Sequence, residues 1–316
     1  MEKKILYYIK EIQEAEKGEA INPVTCEIDP SNRCQLDCSF CLYKKWRGQN
    51  RADLEWEVYI KLLKSLHKAG AKSVSFTGGG EPLVHPNFQM MSEAAVLSGL
   101  EMGLVTNGVA LNQVLHPSDF VFIRVSLDAA SPETYQVVKG ANLFDKVIRN
   151  IKGAIADGGT VGLSFVVTDD NKHEIEKAKD LAEELEAAYI QFKPAWSEGF
   201  KELFLFDGYS ELTGDKTVNT LRYTPTPDNM LPCHIAGLVG IVGADSKVYY
   251  CCTKRGVKEC CVGSLEDEDF NTIWSRRPKI KANISECPAC RYMTYAKPYK
   301  DFVDGGTLFF KHKNFL

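Results

Sequence analysis

The run Cys34-Gln-Leu-Asp-Cys38-Ser-Phe40-Cys41 places three thiols on a short loop, with three and then two residues between them. Thiolates select iron–sulfur clusters, zinc or copper(I). Structural zinc requires four closed ligands, and this loop offers no fourth cysteine or histidine. Three thiolates on a four-iron cube leave one iron open to a substrate or cofactor. The plainer reading is three loop cysteines with an incidental ligand. A second group gathers near the C-terminus: Cys233, Cys251 and the pair Cys287-Pro-Ala-Cys290, with Cys252, Cys260 and Cys261 beside them. Cys233, Cys251, Cys287 and Cys290 together make a four-thiolate set, fit for a zinc site or a second iron–sulfur cluster. Cys26 falls inside a strand-like run and reads as a small buried side chain. This bimodal distribution, in a chain without an export signal, fits two metal sites better than disulfides.

Other polar residues recur where strand-like runs end. Thr77-Gly78-Gly79-Gly80-Glu81-Pro82 follows the second such run, Asn107 the third, and Ser126 and Asp128 the fourth. TGGGEP lacks the GxGxxG spacing of a dinucleotide fingerprint, and alone it is a turn. Asn107 and Asp128 have an ordinary alternative as helix caps or Asx turns. Arg124 and Lys193 either face a cavity or cap carbonyls. The six histidines are scattered and make no paired metal-ligand spacing.

These residues need a scaffold that brings strand ends together. Runs VTCEID, KSVSFTGG, EMGLVTNG, VFIRVSLD, TVGLSFVVT and YIQFKPA alternate with amphipathic segments such as WEVYIKLLKSLHKAG and LFDKVIRNIKGAIADGG. Such alternation predicts an α/β fold with parallel strands and right-handed helical crossovers. Six units fall short of the eight that close a full barrel, so the expectation is a partial (β/α)6 barrel, with a doubly wound open sheet as the alternative. The expected organisation is an N-terminal helix at 1–21, the barrel at 22–194, a linker or lid at 195–232, a cysteine-rich hairpin-plus-helix domain at 233–295 and a tail at 296–316.

Composition narrows the classes. Apolar residues make up 44% and charged residues 25%, so a sizeable core is available. The net charge of −4 argues against a nucleic-acid binder driven by overall basicity. No apolar stretch is long enough to span a bilayer, and the charged N-terminus lacks a signal peptide's apolar core. A cytoplasmic protein with neither nucleic-acid nor membrane partners is expected.

CQLDCSFC resembles the CxxxCxφC signature of the radical S-adenosylmethionine superfamily, with Phe40 at the aromatic position, and the resemblance extends over residues 22–193. It implies a [4Fe-4S] cluster on Cys34, Cys38 and Cys41 and bound S-adenosyl-L-methionine. Phe40, Gly79, Gly80, Glu81, Asn107, Ser126 and Asp128 would form the cofactor site, with the GGE segment at the methionine amino group. Reductive cleavage of the sulfonium would give a 5′-deoxyadenosyl radical that abstracts hydrogen, and an external one-electron donor such as flavodoxin or ferredoxin is implied. The second group is similar to the twitch form of the SPASM extension, which implies a second, auxiliary [4Fe-4S] cluster on Cys233, Cys251, Cys287 and Cys290. Only about 21 residues precede the core, which favours a small-molecule substrate, sugar- or cyclitol-like, undergoing a two-electron oxidation by an oxidoreductase. The alternatives are a ribosomal-peptide-modifying epimerase or crosslinking enzyme, and a non-catalytic thiolate metal-binding or electron-transfer protein. In the epimerase case Cys252, Cys260 or Cys261 would be the hydrogen donor.

Overall fold

The computed structural model describes residues 2–196, 204, 224–225, 234–279, 289–290 and 292–303. Six β-strands, β1 (Thr25–Ile28), β2 (Ser73–Phe76), β3 (Glu101–Thr106), β4 (Phe120–Ser126), β5 (Val161–Val167) and β6 (Ile190–Pro194), pair in sequential order, every pair parallel. A doubly wound sheet would reverse strand order part-way along. These six strands do not, so the expected partial barrel holds, as an open arc.

Helices fill the crossovers: α1 (Ile9–Glu16) precedes the sheet, and α2 (Lys44–Gln49), α3 (Trp56–Ala69), α4 (Phe88–Leu97), α5 (Pro132–Lys139), α6 (Phe144–Ala156) and α7 (Ile175–Glu184) follow. In α3 the spacing i, i+3, i+4, i+7 puts Tyr59, Leu62, Leu63 and Leu66 on one buried face. Gly70, at φ 77°, ends the helix in the left-handed conformation that glycine adopts without a Cβ penalty. Strands β2, β3 and β5 bury Val74, Phe76, Leu104, Leu163 and Phe165 against these helices in one continuous core. Burial of this apolar surface supplies most of the driving force, at roughly 25 cal/mol per Å2.

The sheet does not stop at β1. After β7 (Thr224–Pro225), strand β8 (Val239–Val242) lies parallel to β1, with Thr25 opposite Val239 and Ile28 opposite Val242. Strands β9 (Lys247–Tyr249) and β10 (Cys261–Ser264) follow antiparallel, completing a nine-stranded mixed sheet. The expected hairpin is present, with its turn closed by Ser246 N donating to the Gly243 carbonyl at 3.1 Å. Strand β10 was not foreseen. Strand β11 (Ala289–Cys290) pairs with β7. A helix at Phe270–Trp274 covers β9 and β10, and one at Met293–Val303 packs Tyr299 beside Ile12. Among the described residues, no helix is long and apolar enough to cross a membrane.

Candidate active site

Every crossover strand of the arc ends on the same side, and the loops that follow surround one cavity of about 320 Å3. Cys34, Cys38, Phe40 and Cys41 come from the long loop after β1, and Gly79, Gly80 and Glu81 from the turn after β2. Asn107 follows β3, Ser126 ends β4, and Asp128 lies two residues on. Lys193 near the end of β6 and Trp196 just beyond it complete the rim. The ten N-terminal site residues read from the sequence thus share one wall-to-wall cavity.

The thiol loop is held by its neighbours. Cys34 Sγ accepts from Leu36 N at 3.5 Å and from Asn107 Nδ2 at 3.7 Å. Burial raises the pKa of the Cys34 thiol, and pushes Cys38 up to about 11. The last turn of α5 docks on the loop: Asp37 N donates to Lys139 O at 3.2 Å and Ser39 N to Val138 O at 2.9 Å.

Glu81 is fully buried, and burial raises its pKa. Its Oε1 accepts from Thr106 Oγ1 at 2.6 Å and Leu83 N at 3.1 Å, and its Oε2 accepts from Asn107 N at 2.7 Å. The carboxylate therefore ties the β2 turn to the β3 end. Beside it, the backbone of Gly80 runs so close to Ser31, Asn32 and Arg33 that a Cβ would overlap their backbone atoms. Only glycine lets the two loops approach this closely.

Asp128 adopts φ 59°, a left-handed conformation rare outside glycine but tolerated best by Asn and Asp. Its carboxylate pairs with the Lys139 ammonium, both fully buried, and accepts from Val166 N at 2.6 Å. Burial alone would lower the Lys139 pKa, but Asp128, Cys38 and Tyr135 around it together raise it. The ammonium also stands 5.6 Å from the Phe40 ring centroid, a cation–π distance. Lys139 lines the cavity, as does Thr106 beside Asn107, and Lys139 is not marked by any motif of the sequence. The helix that carries it has legible ends: Ser131-Pro132 starts it and Gly140 ends it in the usual manner.

The described thiols of the second cysteine group lie away from this cavity. Cys251, Cys252, Cys260 and Cys261 do not line it. Cys252 and Cys260 are buried, and Cys251 and Cys261 partly exposed. Cys233 and Cys287 lie outside the described residues, and Cys290 is described only as part of β11.

A thiol loop, a glycine-rich turn and polar strand ends converge at one mouth of the parallel arc β1–β6, the arrangement of a candidate cofactor site beside three thiols. Residues 28–182 match the family model of the Radical SAM superfamily, and this part of the chain is a domain of that superfamily. A probable GTP 3',8-cyclase of Saccharolobus solfataricus is 31% identical over 162 residues, covering 50% of this chain and 52% of the relative. The chain thus spans about half the length of the cyclase relatives it matches. The mycofactocin maturase MftC of Mycobacterium ulcerans is 24% identical over 283 residues, covering 82% of this chain and 76% of the maturase. Streptococcus suis SuiB bound to precursor peptide SuiA shares the fold at TM-score 0.66 and 16% identity, over 90% of this chain and 74% of SuiB. SuiB has also been solved bound to S-adenosylmethionine. The expectation of a small sugar- or cyclitol-like partner is corrected here. Likenesses that run over most of this chain include a maturase and SuiB in complex with a precursor peptide. The length of the segment ahead of the core does not determine what enters the cavity.

The residues fit the superfamily's groups. No three His, Cys, Asp or Glu side chains among the described residues converge on a single ion. A polynuclear cluster asks for something different, since each thiolate ligates its own iron and the sulfurs stay apart. A [4Fe-4S] cluster on Cys34, Cys38 and Cys41, with S-adenosylmethionine beside it in the glycine-walled cavity, matches that donor set. Metal uptake must displace the protons that burial keeps on Cys34 and Cys38.

Proposed function

We propose that this protein is a radical S-adenosylmethionine enzyme that oxidatively modifies a peptide. The observation that carries the reading is the single cavity shared by Cys34, Cys38, Cys41, the Gly78–Glu81 turn and the polar ends of β3 and β4. When bound, the cluster and S-adenosylmethionine supply a carbon radical able to remove hydrogen from an unactivated position. The chain's residues supply orientation and a water-poor enclosure. Phe40 and Lys139 wall the cavity beside the thiols, Asn107 and Ser126 offer hydrogen bonds at its side, and Lys193 and Trp196 stand at its rim.

A peptide substrate is supported by the likeness to a maturase over most of this chain and by the fold shared with a precursor-peptide complex. Between the two fates of a substrate radical, oxidation is favoured over epimerisation. Returning hydrogen to the opposite face needs a thiol across the cavity. Among the described residues, the cysteines that line it are Cys34, Cys38 and Cys41, all committed to the cluster in this reading. A crosslinking or dehydrogenating outcome needs no such donor. An auxiliary cluster on Cys233, Cys251, Cys287 and Cys290 belongs to the same reading, supported by their number and spacing, and would accept the second electron.

Anaerobically reconstituted protein, reduced by dithionite, is expected to convert S-adenosylmethionine to methionine and 5′-deoxyadenosine. Replacing Cys34, Cys38 and Cys41 by Ala should abolish this and remove one cluster's iron. With a precursor peptide, the product should be lighter by two hydrogens. Deuterium gained at carbon in deuterated water would instead establish epimerisation, and cleavage that persists without the three cysteines would refute the cofactor assignment.

A further inference from the structure

The turn at residues 251–256 belongs to the cysteine-rich C-terminal part, yet its contacts reach the glycine turn of the first site. Arg255 is buried and donates from Nη2 to Glu27 Oε2 at 2.8 Å and from Nη1 to Cys252 O at 2.8 Å. Its Nε stands 2.9 Å from Asp29 Oδ2, close but off the N–H direction. That same Asp29 Oδ2 accepts from Gly79 N at 3.3 Å. Asp29 is fully buried just past β1, and its Oδ1 has no hydrogen-bond partner. A buried carboxylate in this position depends on a counter-charge, and Arg255 provides it.

A second contact runs beside the first. The Trp46 indole, on α2 just after the thiol loop, packs against both Gly79 and Gly256, and a Cβ at either glycine would overlap its ring. Tyr43, three residues earlier, donates from its hydroxyl to Cys252 O at 2.8 Å. Two routes therefore join Cys252 and the turn after it to Gly79, one ionic through Arg255 and Asp29, the other packed through Gly256 and Trp46.

We propose that Arg255 is a positioning residue for the cofactor turn: by neutralising Asp29 it fixes the Gly79 amide, and it couples the Cys251 region to S-adenosylmethionine binding. The inference rests on the proposed function, which makes Gly78–Glu81 the cofactor cradle. The coupling is a free energy shared between two places, and such couplings typically amount to 5–150-fold in affinity. Loss of the guanidinium leaves Asp29 to take up a proton or to turn away from Gly79. Lysine restores the charge but not the fork that reaches Glu27, Asp29 and the Cys252 carbonyl together.

The test uses the full chain, reconstituted anaerobically, with S-adenosylmethionine as the probe. Iron content, the dissociation constant by equilibrium dialysis, and the change in the reduced cluster's electron paramagnetic resonance signal on adding the cofactor are read together. Arg255→Met should keep the iron bound by Cys34, Cys38 and Cys41, raise the dissociation constant on the order of tenfold, and blunt the spectral change. Arg255→Lys should recover part of both. In an Asp29→Ala background, Arg255→Met should add little, because the two residues act in series. Wild-type affinity and spectrum in Arg255→Met, or fully additive losses in the double variant, would overturn the inference. If Arg255→Met does not fold, the Arg255→Lys and Asp29→Ala cycle decides by the same additivity criterion. Failure of the wild-type protein to bind the cofactor would bring down the proposed function and this inference together.

Discussion

Glu81 illustrates how much one buried carboxylate can organise. Thr106, Leu83 and Asn107 all donate to it, so its oxygens are engaged before any cofactor arrives. Glu81→Gln replaces one acceptor oxygen with a donor and sets it against at least one of those groups. The expected cost is about 1–3 kcal/mol of stability, with weaker cofactor binding because the β2 turn and Asn107 lose their tie. Chemical denaturation and dialysis measure the two effects. Asp29 permits a prediction about pH. Burial raises its carboxyl from 3.8 to about 6, against the opposing pull of Arg255. Between those two values the folded chain holds a proton that the unfolded chain has released, so stability falls as pH rises through that range. Asp29→Asn removes this dependence, so the variant should gain on the wild type between pH 5 and pH 7, as read from melting temperatures at the two pH values.

At the scale of elements, α5 does more than bridge two strands. Its final carbonyls receive the amides of Asp37 and Ser39, and its last residue is Lys139, paired with Asp128. Lys139→Met would strand a buried carboxylate, and breaking one side of such a pair costs about 3–5 kcal/mol. The expected result is a large drop in unfolding free energy, together with poorer iron retention, since the thiol loop loses its support. Asp128→Asn with Lys139→Met should restore much of the stability, and urea titration of the three variants tests this. Helix α5 went unread because SPETYQVVKG is short and its apolar positions are few, although its caps were legible. Helices α3, α4, α6 and α7 were legible because apolar residues recur at helical spacing over ten or more positions.

Across the whole molecule, the parallel pairing of β8 with β1 makes the C-terminal hairpin part of the sheet that carries the thiol loop. Cutting the chain after residue 196 would bare the edge of β1 and the apolar surface that Val242, Val248, Phe270 and Trp274 cover. An open parallel edge with exposed core is prone to aggregation. The fragment 1–196 is therefore expected to be insoluble or poorly folded although it spans the whole family match. Soluble yield and circular dichroism against the full chain provide the check, and a well-folded, iron-binding fragment would show that β8 is dispensable.

The sequence by itself determined which residue types come together along the chain. Cysteine spacing marks a loop of three thiols, TGGGEP marks a turn, and the alternation of two periodicities predicts parallel strands with helical crossovers. Local patterns suffice for these because each depends on residues a few positions apart. Only the tertiary structure decided how they are held together. Nothing along the chain links Arg255 to Asp29, Thr106 to Glu81 or Trp46 to both Gly79 and Gly256. Those contacts join loops from different strands, and they exist only because the sheet brings the strand ends to one side. The same holds for β8: its apolar run was read as half of a hairpin, and its second partner, β1, lies more than two hundred residues away. Hydrogen bonding between strands is indifferent to sequence separation, so that pairing becomes visible only once the fold is formed.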